Sequence, residues 1–295
     1  MPCSIIKSLI RPLLLTALVV GTYSMAASAD SLKIVSFNLY NRPWERKARL
    51  ETASQLLAGL DADIIALQEV ATGWILPGDP VQVFTDRLKL HSVRAWHEEN
   101  LGVFRTGIAV LSKFPILSSE YHEFARHDFW DAKGFLSVRI ATPHGTLQFI
   151  TLHIASTTHE EVRLSEWQEL AAFAGRLTAE GPVVIAGDFN TPPENPALAG
   201  FVHATGAAQI YTGWPKQAEL RSWTPDYRDA CADAAHPEAQ LLDYLFILPA
   251  SPTQEKKPGI PRLSFEGGNI VRSTFKPNPS DHCPIEARIR WNRHP

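Results

Sequence analysis

Apolar residues in this chain come in short blocks of strand length, separated by turn formers. The blocks read LKIVSFNL, DIIALQEV, GIAVLSKFPI, FLSVRI, TLQFITLHI, PVVIAGDFN, LLDYLFIL and CPIEARI. Most are rich in Val, Ile and Phe and are bounded by Gly, Pro, Asn or Asp, which predicts buried strands. The stretch from Phe135 to Ile154 predicts a hairpin, with Leu136, Val138 and Ile140 on one face and the turn at Pro143-His144-Gly145. Two other stretches carry a helical period instead. KARLETASQLLAGL places Leu50, Ala53 and Leu57 on one stripe; VRLSEWQELAAFAGRL places Leu164, Trp167, Ala171 and Ala174 on another, widened by Leu170, Phe173 and Leu177. Hairpins and crossovers are therefore mixed, which predicts an α/β (α+β) layered fold rather than an all-parallel sheet. PASPTQEKKPGIPR and RDACADAAHPEAQ read as long surface loops. Neither divides the chain, because strands needed for one core lie on both sides, so residues 30–295 are expected to form a single domain.

The polar residues are concentrated at the ends of the apolar blocks. Asn38 closes the first, Glu69 the second, and His153 nearly closes the return strand of the hairpin. Asp188 and Asn190 close PVVIAG, Asp243 opens YLFIL, and Asp281-His282 opens the last block. Strands lying side by side with matching ends would bring these groups to one rim, where α/β folds place their sites. Each residue alone has an ordinary structural explanation: Asn38 and Asp243 as turn formers, His153 as a core histidine, Asp188 and Asn190 as a cap or Asx-turn before Pro192-Pro193. Glu69 fits such an explanation least, since a carboxylate at the end of a buried strand must find a partner or a cation.

As a set, these groups define a chemistry. Two or three carboxylates with amide oxygens suit a hard divalent cation such as Mg²⁺, with Mn²⁺ or another divalent ion as a substitute. No His-x-x-x-His or Cys-x-x-Cys is present to build a zinc site. Two histidines supply proton transfer or positive charge against a phosphoryl oxygen, and the combination suits metal-assisted phosphoester hydrolysis. The nucleotide-cradling motifs G-x-x-x-x-G-K-[ST] and G-x-G-x-x-G and the nucleophile elbow G-x-S-x-G are all absent.

The N-terminus and the charge add a location. Lys7 and Arg11 precede an apolar run, PLLLTALVVGTY, which is followed by the small-x-small sequence Ala27-Ser28-Ala29. This reads as a signal peptide over residues 1–29, with an uncleaved anchor as the alternative. The mature chain is then exported, periplasmic or secreted, without a transmembrane segment. Losing Lys7 and Arg11 takes 28 basic side chains to 26 against 31 acidic, a net charge near −5. Bulk charge thus argues against non-specific polyanion binding but leaves room for a local basic groove. Arg42, Arg46, Lys47 and Arg49 are the dense basic cluster, and on a helix they read as a solvated face. Cys231 and Cys283 remain after export, either bridged or as two buried thiols.

The order of the pieces FNL, LQEV, TGIAVLSKFPI, KGFLSVRI, TLHI, GDFN, LDYLFI and SDHCPI, from about Leu32 to Ile289, resembles the endonuclease/exonuclease/phosphatase superfamily. The resemblance implies a four-layer αββα sandwich, two mixed sheets packed face to face with helices outside. It implies that Glu69, Asn38 and Asp281 hold the metal, and that Asp188 and Asn190 hold the attacking water and the phosphate. Asp243 would orient His282, His282 would act as general base or electrostatic clamp, and His153 would bind the phosphate or assist the leaving group. KGFL after the aromatic-rich YHEFARHDFWDA is more similar to sphingomyelinase-type phosphodiesterases, where Phe129 and Trp130 would cradle a choline headgroup or simply pack in the core. A long membrane-inserting hairpin and the WCDR signature of inositol polyphosphate 5-phosphatases are absent. Arg163 and Gln168 depart from the family's Arg-x-x-Gln spacing and receive no role. The expected protein is a monomer acting on a phosphodiester, phospholipid or nucleic acid, with peripheral membrane contact. The alternatives are a secreted nuclease and a non-catalytic binding protein on the same fold.

Overall fold

Two parallel strand pairs, each joined by a helix, organise the molecule. In this computed structural model, which describes residues 30–292 except 77, 101–102, 127–131, 157–158, 213–219, 229–235 and 258, β1 (Ser31–Asn38) runs parallel to β2 (Ile64–Thr72) through α1 (Arg46–Leu60). Likewise β7 (Gly145–His153) runs parallel to β8 (Val183–Asp188) through α3 (Glu160–Leu177). All other strand pairings among the described residues are antiparallel. With β3 (His91–Asn100), β4 (Phe104–Ser112), β5 (Ile116–Glu123), β6 (Gly134–Thr142), β9 (Ala208–Gln209), β10 (Asp243–Leu248), β11 (Arg262–Ile270) and β12 (Ile285–Asn292), the strands form two six-stranded mixed sheets. Their orders are β11-β12-β1-β2-β4-β3 and β5-β6-β7-β8-β10-β9.

The inner faces of the two sheets share one apolar core: Ile34, Ile64, Ala66, Ile108 and Val110 from the first meet Val138, Ile150, Leu152 and Ile185 from the second. On the outside of the first sheet, α1 and α2 (Pro80–Leu88) bury Leu50, Ala53, Leu57 and Phe84 against Val35, Phe37 and Leu67. On the outside of the second, Trp167 of α3 and Phe201 of α4 (Pro196–Thr205) pack on Phe189 and Phe246 with ring separations of 4.8–6.2 Å. This is the four-layer αββα sandwich expected.

Several details differ from the sequence reading. Of the stripe expected on α3, Trp167, Leu170, Phe173 and Ala174 are buried, but Leu164 is 46% exposed, and Val162, Arg163 and Glu166 complete the buried face instead. The loop expected at residues 249–262 contains one helical turn, α5 (Pro252–Glu255). Arg46 and Arg49 do not form a solvated face with Arg42 and Lys47. They are 7% and 2% exposed, and their guanidinium groups donate to backbone carbonyls of β2 and of the neighbouring loops. Cys283 is disulfide-bonded; Cys231, Cys3, Phe129, Trp130 and the 1–29 segment lie outside the described residues. No helix among the described residues is long and apolar enough to cross a membrane.

Candidate active site

The register puts the polar strand ends together. His153 and Asp188 are partners across β7 and β8, and Asp188 and Asp243 are partners across β8 and β10. Asn38 ends β1 on the other sheet, and its side-chain amide joins the two sheets by donating to Asp188 Oδ2 at 2.9 Å and to Glu69 Oε1 at 3.2 Å. Residues 281–283 lead into β12 and are tied to 222–224 by backbone bonds from Thr224 N to Asp281 O at 3.0 Å and from Cys283 N to Ser222 O at 2.7 Å. All the sequence-predicted site residues, Asn38, Glu69, His153, Asp188, Asn190, Asp243, Asp281 and His282, thereby gather at one end of the sandwich. All but Asn38 and Asp243 line a cleft of about 980 Å³.

Local backbone strain aims two of these side chains. Glu69 sits where the β2–β4 register slips between Leu67 and Val70, with φ of 51°, and Asn190 has φ of 43°. Left-handed backbone at a non-glycine residue costs roughly 1 kcal/mol or more and is retained where the surroundings impose it. Here Glu69 Oε2 accepts from Asn41 N at 2.7 Å, and Asp188 Oδ1 accepts from Asn190 N at 2.9 Å.

The acidic groups divide into two clusters with different chemistry. Asp243 Oδ2 accepts from Ser222 Oγ at 2.6 Å and lies 2.8 Å from His282 Nδ1. His282 Nε2 and His153 Nε2 lie 3.6 and 3.5 Å from Asp188 Oδ2. Burial by itself would lower the His282 pKa, but the carboxylates of Asp243 and Asp188 outweigh it and hold it well above the usual value. His282 is therefore an imidazolium at neutral pH. Asp188 is pushed up to about 7, first by burial, with Asp243 adding to it and His282 opposing.

The second cluster is Glu69 and Asp281, with Asn38 beside them. Asp281 Oδ2 accepts from Trp223 Nε1 at 3.1 Å, and its carboxyl is raised to about 6 by burial and then by the like charge of Glu69, against the pull of His282. Two carboxylates in mutual repulsion, both oxygen donors, fit a divalent cation that would remove the conflict. Asn38 Oδ1 accepts from Tyr40 N at 3.0 Å and keeps a second lone pair. Ligand-type atoms of Asp188, Asp243 and His282 also lie within 4.8 Å of one another. His282 could ligate a cation there through Nε2 while its Nδ1 stays on Asp243, but as an imidazolium it would first have to give up the Nε2 proton.

Asn190 defines the state of His153. Its Nδ2 donates to Ile154 O at 2.9 Å, which fixes the orientation of the amide; the same nitrogen lies 3.1 Å from His153 Nε2. His153 Nε2 must therefore accept, its proton resides on Nδ1, and Asn190 presents Oδ1 to the cleft. His153 is buried, and burial, reinforced by Lys133, His97 and His282, holds its pKa well below the usual value, so the ring is neutral.

Sequence reasoning missed the supports of this site. Ser222 bonds Asp243 and also accepts from Leu242 N and Asp243 N at 3.0 and 3.1 Å. Glu166 accepts from Ala155 N at 3.0 Å, steadying the turn after His153. Arg49 donates to carbonyls of the loop after Asn38 and of Pro279. Lys133, quoted for the KGFL motif but given no role, is buried at the cleft wall. The helical position of Arg49 was the one available signal, since it falls one turn before Ala53 on the buried stripe.

Residues 35–282 match the Endonuclease/Exonuclease/phosphatase family, and this chain belongs to it. Among its relatives, an inositol phosphosphingolipids phospholipase C of Schizosaccharomyces pombe is 28% identical over 185 residues, covering 56% of this chain and 42% of that protein. A putative neutral sphingomyelinase of Drosophila melanogaster is 26% identical over 184 residues, covering 56% and 40%. This chain thus spans about two fifths of the length of the curated relatives it matches. In fold it is similar to D. rerio TDP2, crystallised with a single-strand DNA product, at a TM-score of 0.69 and 16% identity over 88% of this chain and 98% of that one.

Proposed function

We propose that this chain is an exported, divalent-metal-dependent phosphodiesterase whose leading substrate is a phospholipid headgroup ester. The observation that carries the activity is the meeting, across both sheets, of an oxygen-donor cluster with a second cluster that contains an imidazolium and an adjacent carboxylate. Glu69, Asp281 and Asn38 would hold Mg²⁺, which when bound polarises a phosphoryl oxygen and offsets the charge that develops there. Asp188, partly ionised near neutral pH, takes the proton from a water held against Asn190 Oδ1. His282 is already protonated between Asp243 and Asp188, so it donates a charged hydrogen bond to the phosphate rather than serving as base.

The rim of the cleft supports the lipid substrate. Trp74 and Ile75 tip a tight turn closed by Leu76 N to Gly73 O at 3.1 Å and pinned by Ile75 N to Val103 O at 3.4 Å. Gly73 has φ of 144°, and a Cβ there would lie 2.5 Å from Val103 O, so the close approach requires glycine. Trp74 is 85% exposed and Trp44 63%, and Ile75 and Val103, at 51% and 44%, line the cleft. Arg46 lashes the two loops together by donating to Ala71 O and Gly78 O. Tryptophans and aliphatics displayed beside a cleft suit contact with a membrane interface. A nucleic-acid substrate is the second reading, favoured by the fold shared with D. rerio TDP2. Burial of Arg46 and Arg49 weakens it by removing half of the basic cluster from the surface.

Hydrolysis of sphingomyelin vesicles, plasmid DNA and a soluble bis-aryl phosphate, with Mg²⁺ or chelator, by wild type and His282→Ala, tests the reading. Turnover that resists chelator, or full activity of His282→Ala, defeats the mechanism; preference for DNA overturns the substrate class.

A further inference from the structure

One buried group near the cleft has no role in the chemistry above. His97 belongs to β3, at the point where pairing with β4 steps from Trp96↔Gly107 to Glu98↔Thr106. It is the extra residue of a β-bulge, a device that re-aims a side chain. Gly107 lets the two strands approach there, since a Cβ on it would lie 1.9 Å from Ala95 O. His97 is 7% exposed, and neither of its ring nitrogens has a hydrogen-bond partner among the described residues. Its pKa is lowered to about 3 by burial and then by Lys133, so the ring is neutral and carries one donor and one acceptor nitrogen. Buried, unpaired polar atoms are uncommon and call for an explanation.

The explanation lies next door. His153, with its proton on Nδ1, has that nitrogen buried and also without a partner among the described residues. The rings of His97 and His153 meet edge-on with centroids 6.2 Å apart. A direct N–H···N contact near 3 Å would bring the centroids to about 5 Å, so a single bridging water or a swing of about 1 Å completes the contact. We propose that His97 is a positioning residue: it accepts, directly or through one water, the Nδ1 proton of His153, so that His153 holds Asn190 with its amide oxygen facing the cleft. The inference rests on the phosphodiesterase reading only for its catalytic consequence. The arrangement of the three side chains stands without it.

The test is the ring-nitrogen spectrum of ¹⁵N-histidine-labelled protein near neutral pH, paired with kinetics. In wild type His153 is expected as the Nδ1-protonated tautomer. His97→Phe should abolish that preference and lower kcat about tenfold with KM nearly unchanged, in the range that outer supports of a site command. His97→Gln, whose amide oxygen restores an acceptor, should recover both. An Nε2-protonated His153 in wild type overturns the proposal with no variant needed, and so does a folded His97→Phe with an unchanged spectrum. If circular dichroism shows His97→Phe unfolded, the wild-type and His97→Gln spectra decide. Loss of the tautomer in Glu98→Gln but not in the His97 variants would transfer the role to that neighbouring carboxylate and refute this assignment. Should no phosphodiester be turned over, the functional reading fails while the spectrum still decides the tautomer.

Discussion

Replacing Arg49 by lysine, which keeps the charge and shortens the reach, should uncouple the site from its scaffold. The guanidinium donates to five carbonyl groups: Trp44 O at 2.8 Å, Leu39 O at 3.3 Å, Tyr40 O at 3.1 Å, Arg42 O at 2.6 Å and Pro279 O at 3.1 Å. It also lies 4.9 Å from the centroid of the Tyr40 ring and 5.7 Å from that of Tyr227. An ammonium has three donors on a point, so at least two of the carbonyls lose their partner. At about 1.5–3 kcal/mol for each bond to a charged donor, discounted because the Trp44 and Arg42 carbonyls can reach water, the expected loss is about 2–4 kcal/mol. For a chain of this size that is a fall in Tm of roughly 4–7 °C. The tethered carbonyls directly follow Asn38 and stand two residues before Asp281, so the cation donors should loosen as well. If Mg²⁺ then binds about tenfold more weakly, the stabilisation that saturating Mg²⁺ gives falls by about 1.4 kcal/mol. Urea melts with and without Mg²⁺, with calorimetric titration of the ion, measure both effects. Unfolding within about 0.5 kcal/mol of wild type, together with unchanged Mg²⁺ affinity, would refute the claim that this buried guanidinium holds the site together.

Three further outcomes follow from the same geometry. Asp243→Asn removes the carboxylate that keeps His282 charged, so kcat should fall roughly 10²–10⁴-fold while the far-ultraviolet spectrum is retained; a change under about threefold would exclude the clamp role. Acid should destabilise the fold through His97: its pKa is about 3 when folded and 6.5 when free, so its contribution is present above 6.5 and is lost as pH falls towards 3. The shift sets a ceiling of about 5 kcal/mol. Urea midpoints of His97→Phe should therefore fall less steeply than wild type between about pH 6.5 and 4.5, and parallel curves would contradict the buried neutral ring. Trp74→Ala should weaken partition to phosphatidylcholine–sphingomyelin vesicles about tenfold and leave hydrolysis of a soluble bis-aryl phosphate unchanged. Equal loss on both substrates would place Trp74 in the cleft rather than at a membrane.

What the sequence revealed and what it hid follow one physical division. Residues that perform chemistry stand at the ends of strands buried on both faces, and such strands announce themselves as apolar runs. Asn38, Asp188 and Asp243 were legible because a polar group breaks the run at a definite place, and strand pairing with matched ends does the rest; Glu69 also interrupts an apolar run, but it stands inside β2, where the slipped register with β4 rather than a strand end turns it to the site. Edge strands carry no such mark. β3, β5 and β11 are all edge strands, and β5 and β11 are mostly exposed along their length, so their sequences form no apolar block that marks a strand. Supports of the site were hidden for a different reason: their importance comes from partners far away in the chain. Ser222 matters through Asp243, Trp223 through Asp281, and Arg49 through Pro279, 230 positions on. His97 depends on a single slipped register, which no periodicity encodes. Arg46 and Arg49 show where pattern reading can be sharpened. They occupy the same helical stripe as Leu50, Ala53 and Leu57, and a cation at a core position of an otherwise apolar stripe implies unpaired carbonyls for it to meet. Applied to this helix, that rule would have turned a presumed solvated face into the latch between the Asn38 loop and the segment that delivers Asp281 and His282.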